Sequence, residues 1–201
     1  MSRLAGIVLA AGLSSRMGAF KPLMEVDGRA MILRVIDGMR SAGASPVVVV
    51  TGHRRAELEA ALAGEGVAFA FNPDYAVTQQ LESLRVGLMA IGGRAERIMI
   101  SPADVPLVSP ATIARLAATP GDFVRPVWHG EVGHPVFLSS AFIPYLMTYD
   151  GPGGLRGAME RYPACDLRDV PCEDRGTVLD NDTRADFDRL LAWRKAQGER
   201  P

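Results

Sequence analysis

Apolar positions along the chain follow two rhythms that alternate from end to end. Leu4–Ala10 is a short run that is apolar on both faces, which predicts a buried strand. In Ala30–Ala42 the apolar residues Ile32, Val35, Ile36 and Met39 recur at helical spacing, and Gly43 is suited to close the helix. Val47–Thr51 is β-branched and apolar until its end, a second buried strand. The same reading predicts helices over Arg54–Ala63, Glu82–Ile91, Pro110–Ala118, Gly154–Arg161 and Thr183–Ala196. It predicts strands over Val67–Phe71, Arg97–Ser101, Phe123–Val127, Pro135–Leu138, Cys165–Val170 and Thr177–Leu179, with Trp128–Gly133 as a hairpin connection. Thr183 and Asp186 are spaced as a capping box for the last helix, with Asp in place of Glu.

Strands alternating with helices imply βαβ units and an α/β fold: a Rossmann-like three-layer α/β/α sandwich around a mainly parallel sheet. In such sheets ligands sit beyond the carboxyl ends of the strands, near a switch in strand order. The residues that follow each strand are therefore where chemistry is expected.

Length and composition narrow the classes. With 201 residues the chain is expected to form one domain, 1–201, with a core large enough to stand without disulfides. Its two cysteines, Cys165 and Cys172, match neither zinc nor redox spacing. A formal net charge of -1 gives no general argument for nucleic acid or an anionic membrane as partner. No apolar run approaches the ~20 residues of a membrane span, and no signal-peptide pattern opens the chain, so the cytoplasm is the expected compartment.

The loop after the first strand carries the densest signal. Leu9-Ala10-Ala11-Gly12 is followed by Ser14, Ser15, Arg16, Gly18 and Lys21. Small residues at Ala10, Ala11 and Gly12 let backbone N–H groups approach an anion, Ser14 and Ser15 add hydroxyl donors, and Arg16 and Lys21 put two cations on one loop. The string is neither the dinucleotide fingerprint nor a Walker A loop. Leu-Ala-Ala-Gly-x-x-x-Arg-Met-Gly-x-x-Lys resembles the MobA/MocA-like nucleotidyltransferases, and its Ala-Ala-Gly form resembles the cytidylyltransferase branch. The resemblance implies a nucleotide-diphospho-sugar transferase type of fold. It also implies transfer of NMP from an NTP, here CTP, to a phosphorylated acceptor, here molybdopterin cofactor, with release of pyrophosphate and with Mg²⁺ as cofactor. Leu9, Ala10, Ala11, Gly12, Ser14, Ser15, Arg16 and Lys21 are its nucleotide-binding residues on this loop, with Arg16 and Lys21 also catalytic. The side chain of Leu9 itself reads as core.

Five further stations match. Asp104-Val105-Pro106, after a strand, is similar to the family's Asp-Met-Pro, and its carboxylate is a hard-oxygen ligand suited to Mg²⁺. Asp180-Asn181-Asp182-Thr183 is similar to Asp-Ile-Asp-Thr-Pro, with Asn181 in place of an apolar residue and Arg184 in place of proline. The match makes Asp182 the second metal ligand opposite the catalytic Asp104, with Asp180 able to join. The plainer role open to Asp182 is to favour the start of the last helix. Ser83-Leu84-x-x-Gly87 keeps the family core, while Gln79 replaces a glycine and Glu82 a small residue. Gln79 and Ser83 are candidates for contact with the nucleotide, and Ser83 is as well suited to cap a helix. Gly133-His134-Pro135 and Gly153-Gly154-Leu155-Arg156 resemble acceptor-side stations, so His134, Gly154 and Arg156 are candidates there. The same chemistry on a sugar or alcohol phosphate, or with GTP, stays open, as does a non-catalytic nucleotide-binding accessory of molybdoenzyme maturation. A molybdoenzyme client is the one macromolecular partner the resemblance implies.

Overall fold

The structure, a computed structural model, describes residues 3–13, 18–163 and 165–198. The strands are β1 (Leu4–Ala10), β2 (Glu25–Val26), β3 (Arg29–Ala30), β4 (Val47–Thr51), β5 (Ala68–Phe71), β6 (Arg97–Pro102), β7 (Phe123–Trp128), β8 (Glu131–Val132), β9 (Val136–Ser139) and β10 (Leu167–Pro171). The helices are α1 (Met31–Ser41), α2 (Arg55–Ala61), α3 (Gln80–Ile91), α4 (Pro110–Ala118), α5 (Ile143–Thr148), α6 (Gly154–Arg161) and α7 (Arg184–Gly198).

The central sheet runs β10-β7-β9-β6-β1-β4-β5, and β8 forms a hairpin with β7. β1, β4, β5 and β6 are mutually parallel, as are β7 and β10, whereas β9 is antiparallel to both β6 and β7. The period-two pattern of β1 explains the layers. Ala5 and Ile7 face one core, packed with Leu84, Leu88 and Ile91 of α3 and with α5 and α6. Val8 and Ala10 face the other, packed with Ile32, Ile36 and Met39 of α1 and Ile113 and Leu116 of α4. Gly87 has a packing reason: a Cβ there would come within 2.9 Å of Ile7 and 3.0 Å of Val50, so glycine lets α3 lie close on the sheet.

Chain order reverses at β1, which has β4 on one side and β6 on the other. This switch point puts the loop after β1 beside the loop after β6, and the Ala103 amide donates to the Leu9 carbonyl at 3.1 Å.

Three elements differ from expectation. The stretch expected as a strand over Thr177–Leu179 forms instead a 3₁₀ turn at Arg175–Thr177. Asp174 holds that turn by accepting from the Gly176 amide at 3.0 Å and the Thr177 hydroxyl at 2.8 Å. Helix α5 and the β2/β3 hairpin are additional. The hairpin turns on Asp27-Gly28, both with positive φ, the conformation of a type I′ turn. Its two-residue strands are too short to show a period. The capping box forms: the Thr183 amide donates to Asp186 at 2.7 Å, and the Asp186 amide donates to the Thr183 hydroxyl at 3.2 Å.

Candidate active site

A cleft of about 460 Å³ opens over the carboxyl ends of β1 and β6. Leu9, Ala10, Ala11, Gly12, Lys21, Gln79, Ser83, Asp104 and His134, all candidates from the sequence, line it together with Asp180. Among the described residues, nothing lies within 4 Å of where a Cβ on Gly12 would be. Ser14, Ser15 and Arg16 lie outside the described residues.

Lys21 sits in a 3₁₀ turn with Pro22, which sets the backbone angle of that turn. Its ammonium donates to the Asp182 carboxylate at 2.9 Å and to Asp104 at 3.4 Å. The lysine side chain is 12% exposed and Asp104 22%, so the pair is largely out of water, whereas Asp182 is 46% exposed. Burial pushes the Asp104 carboxyl above its usual range, and the Lys21 charge offsets this only in part. Partial burial, then the neighbouring charges of Asp104 and Asp182, raise Asp180 as well. Three carboxylates, Asp104, Asp180 and Asp182, thus lie around the Lys21 ammonium, an arrangement that favours cationic charge.

Among the described residues, no three His, Cys, Asp or Glu side chains converge as a metal cage. The donor set therefore suits a hard ion held by one or two carboxylates that takes its other ligands from water and substrate phosphate, which is how Mg²⁺ is commonly bound. The lysine nitrogen within reach of both carboxylates already stands where positive charge is favoured.

Asn181 has no exposed surface, and its Nδ2 donates to the Asp104 carbonyl at 2.9 Å. Glu82 accepts from the Gln79 amide at 3.1 Å and so caps α3. Both departures from the family pattern thus have structural work. Ser83 is buried and accepts from Asn72 Nδ2 at 3.0 Å, so its hydroxyl is oriented from below the cleft.

His134 faces the cleft from the far side. Its amide donates to the Thr177 carbonyl at 2.8 Å, while its Nδ1 is buried with no partner among the described residues. Burial lowers its pKa to about 4, so the imidazole is neutral near pH 7. Gly154 lies in an adjoining hollow of about 310 Å³ that shares Thr78 and Gln79 with the cleft. Arg156 is not brought to either space. Helix α6 turns Ala158 and Met159 inward, so Arg156 points outward, 81% exposed and paired with Glu160 at 2.9 Å.

Residues the sequence did not single out also shape the site. Tyr75 and Thr78 line the cleft, between the Asn72-Pro73 turn and the Gln79 station that the sequence did mark. Gly52 packs directly beneath: a Cβ there would meet the Ala11 carbonyl at 2.6 Å and Tyr75 at 2.7 Å.

A mainly parallel α/β sheet with carboxylates at its switch point is the arrangement of the nucleotide-diphospho-sugar transferase fold. Residues 6–165 match the MobA-like NTP transferase domain, and the chain belongs to that family. It is 27% identical to the molybdenum cofactor cytidylyltransferase of Escherichia coli over 93% of this chain and 95% of that one. It is 38% identical to the bifunctional protein GlmU of Sorangium cellulosum over 56% of this chain, which spans only 25% of that longer protein. Among solved structures, a nucleotidyl transferase from Methanothermobacter thermautotroptrophicus superposes with a TM-score of 0.81 at 28% identity, covering 95% of this chain and 97% of that one. Rv0371c from Mycobacterium tuberculosis in complex with manganese superposes with a TM-score of 0.75 at 27% identity, covering 95% and 99%. The MobA-like family implies an NTP and a phosphorylated acceptor. Among the described residues, no helix is long and apolar enough to cross a membrane.

Proposed function

We propose that this protein transfers CMP from CTP to the phosphate of molybdopterin cofactor, with Mg²⁺, in the cytoplasm. The observation that carries the reading is the Lys21 ammonium held between Asp104 and Asp182 at the mouth of the cleft. The choice of CTP and of the acceptor rests on the Ala10-Ala11-Gly12 form of the loop and on likeness to a molybdenum cofactor cytidylyltransferase.

An acceptor phosphate oxygen attacks the α-phosphorus of CTP. The bond from that phosphorus to the bridging oxygen breaks, and pyrophosphate leaves with the bond electrons. The acceptor oxygen is already ionised, so no side chain has to remove a proton from it. The protein's part is positioning and electrostatics. Amides around Ala10, Ala11 and Gly12 take up phosphate oxygens, and Lys21 exchanges its carboxylate partners for the triphosphate. Ser14, Ser15 and Arg16 are assigned to the same triphosphate. Asp104 and Asp182 would hold Mg²⁺, which supplies charge neutralisation at the phosphates. Gln79 and Ser83 are assigned to the nucleoside, and His134 and Gly154 to the acceptor. Neutral His134 can donate a hydrogen bond to a phosphate oxygen without adding charge.

Pyrophosphate release tests this with CTP, GTP, ATP and UTP against molybdopterin cofactor and against sugar and alcohol phosphates. Release with CTP and molybdopterin cofactor alone is expected. Faster release with a sugar phosphate, or with GTP, would reassign the substrate. Tight NTP binding with no turnover on any acceptor would favour a carrier for a molybdoenzyme client. The structural roles of Glu82 and Asn181 weaken that alternative, since they account for the departures that suggested it.

A further inference from the structure

We infer that Asn181 is a positioning residue: it ties the Asp104 loop to the Asp182 loop and so sets the spacing at which the two carboxylates meet one cation. The inference rests on the proposed role of that pair as metal ligands. Asp182 and Asp104 lie on separate loops, and Asn181, immediately before Asp182, reaches across 77 positions of sequence to the Asp104 main chain. Its Nδ2 donates to the Asp104 carbonyl at 2.9 Å and also lies 3.5 Å from Met31 Sδ. That carbonyl belongs to the peptide leading out of Asp104, so the bond holds the very backbone from which the carboxylate projects.

Other bonds tie the same strap of chain to its surroundings. Asp174 accepts from the Ser109 amide at 2.8 Å, and the Thr177 carbonyl accepts from the His134 amide at 2.8 Å. These fix the strap in general. The Asn181 bond ends on a carboxylate-bearing residue and begins next to another.

Stability alone gives weak reason for an amide at this place. Asn181 has no exposed surface, and its Oδ1 is buried with no partner among the described residues. An unpaired buried acceptor is a cost that offsets the one good bond the amide makes. An apolar side chain of the same volume would avoid it, and the resembling sequence pattern carries an apolar residue there. What the amide adds is a directed tie between two carboxylates that a single ammonium already spans at 2.9 and 3.4 Å. Partners that orient metal ligands from behind typically change metal affinity or activity by ~10–100-fold when removed.

Asn181→Leu keeps the volume and removes the donor. Asn181→Asp keeps the shape and faces the Asp104 carbonyl with an acceptor. Three quantities are read on the full chain: the thermal midpoint, Mn²⁺ affinity from the electron paramagnetic resonance signal of free Mn²⁺ in the presence of CTP, and kcat and KM for CTP. The expected result is a folded Asn181→Leu protein with a near-parental midpoint, Mn²⁺ affinity weakened about ten-fold, and a fall in kcat larger than the change in KM. The inference is overturned by parental Mn²⁺ affinity and kcat in either folded variant. Loss of folding in both would also overturn it, because it would make Asn181 a core residue only. Asp104→Asn and Asp182→Asn separate the two levels. If they leave Mn²⁺ affinity unchanged, the metal reading itself fails; if they weaken it and Asn181→Leu does not, only the tie fails.

Discussion

Replacing Lys21 with Met keeps the stem of the side chain and removes the charge that joins Asp104 to Asp182. The 2.9 Å bond to Asp182 is half in water on the carboxylate side, at 46% exposure, and an exposed ion pair is worth only ~0–1 kcal/mol. Asp104, at 22% exposure, loses the larger part, because its carboxylate stays buried with its cation gone. A charge-assisted hydrogen bond contributes ~1.5–3 kcal/mol, and the 3.4 Å separation places this one near or below the low end. Together these set a loss of about 1–2.5 kcal/mol at neutral pH. For a chain of this size that is roughly 2–10 °C in thermal midpoint, at ~2–4 °C per kcal/mol.

The pH dependence has a definite sign. Burial already raises the Asp104 carboxyl, and Lys21 is the largest influence opposing that rise. A raised carboxyl is most favourable to the fold when protonated, so its contribution is present below the usual carboxylate range and is lost as pH rises through the raised value. Without Lys21 the value rises further. The variant's deficit is therefore largest at neutral pH and shrinks in acid. Mg²⁺ should also restore more stability to Lys21→Met than to the parent protein, because in the parent it competes with the ammonium for the same oxygens. Thermal unfolding across pH, with and without Mg²⁺, reads both effects. A deficit that is the same at every pH and indifferent to Mg²⁺ would refute the reasoning.

Asp104→Asn is expected to lower kcat by about a hundred-fold or more without lowering the thermal midpoint, since the burial of a charge is relieved; steady-state kinetics with near-parental kcat would count against its metal role. Gly52→Ala is expected to destabilise by ~1–3 kcal/mol through overpacking and to raise KM for the nucleotide by displacing Ala11; urea unfolding and kinetics check it, and an unchanged midpoint would contradict the contact geometry. For His134 the depressed pKa favours the fold above the ordinary value of 6.5, a contribution lost as pH falls toward about 4. An NMR titration of the imidazole with a midpoint near 6.5 would show that it is not desolvated.

The architecture was largely legible in the chain. Strand and helix periods over Leu4–Ala10, Val47–Thr51 and Arg97–Ser101 depend on which faces are buried, and burial on both faces leaves its mark locally. The loop from Ala10 to Lys21 and the carboxylates at Asp104 and Asp182 were legible too, because they follow strands or precede a helix. Helix α5 and the two-residue strands were not, since six-residue and two-residue elements carry too few positions to display a period. Thr177–Leu179 reads as a strand until Asp174 is seen to supply the hydrogen bonds of the turn at Arg175–Thr177.

What only the tertiary structure decided is which of these residues meet. Lys21 lies 83 positions from Asp104 and 161 from Asp182, and nothing local joins them. Strand order brings the ends of β1 and β6 side by side, and Asn181 brings the third segment in. Arg156 shows the converse: it belongs to a legible motif, yet the rotation of α6 about its buried residues turns it to solvent. Residue type and spacing in the sequence determined what each element could offer. Long-range packing determined which offers face one another, because that depends on the path of the whole chain.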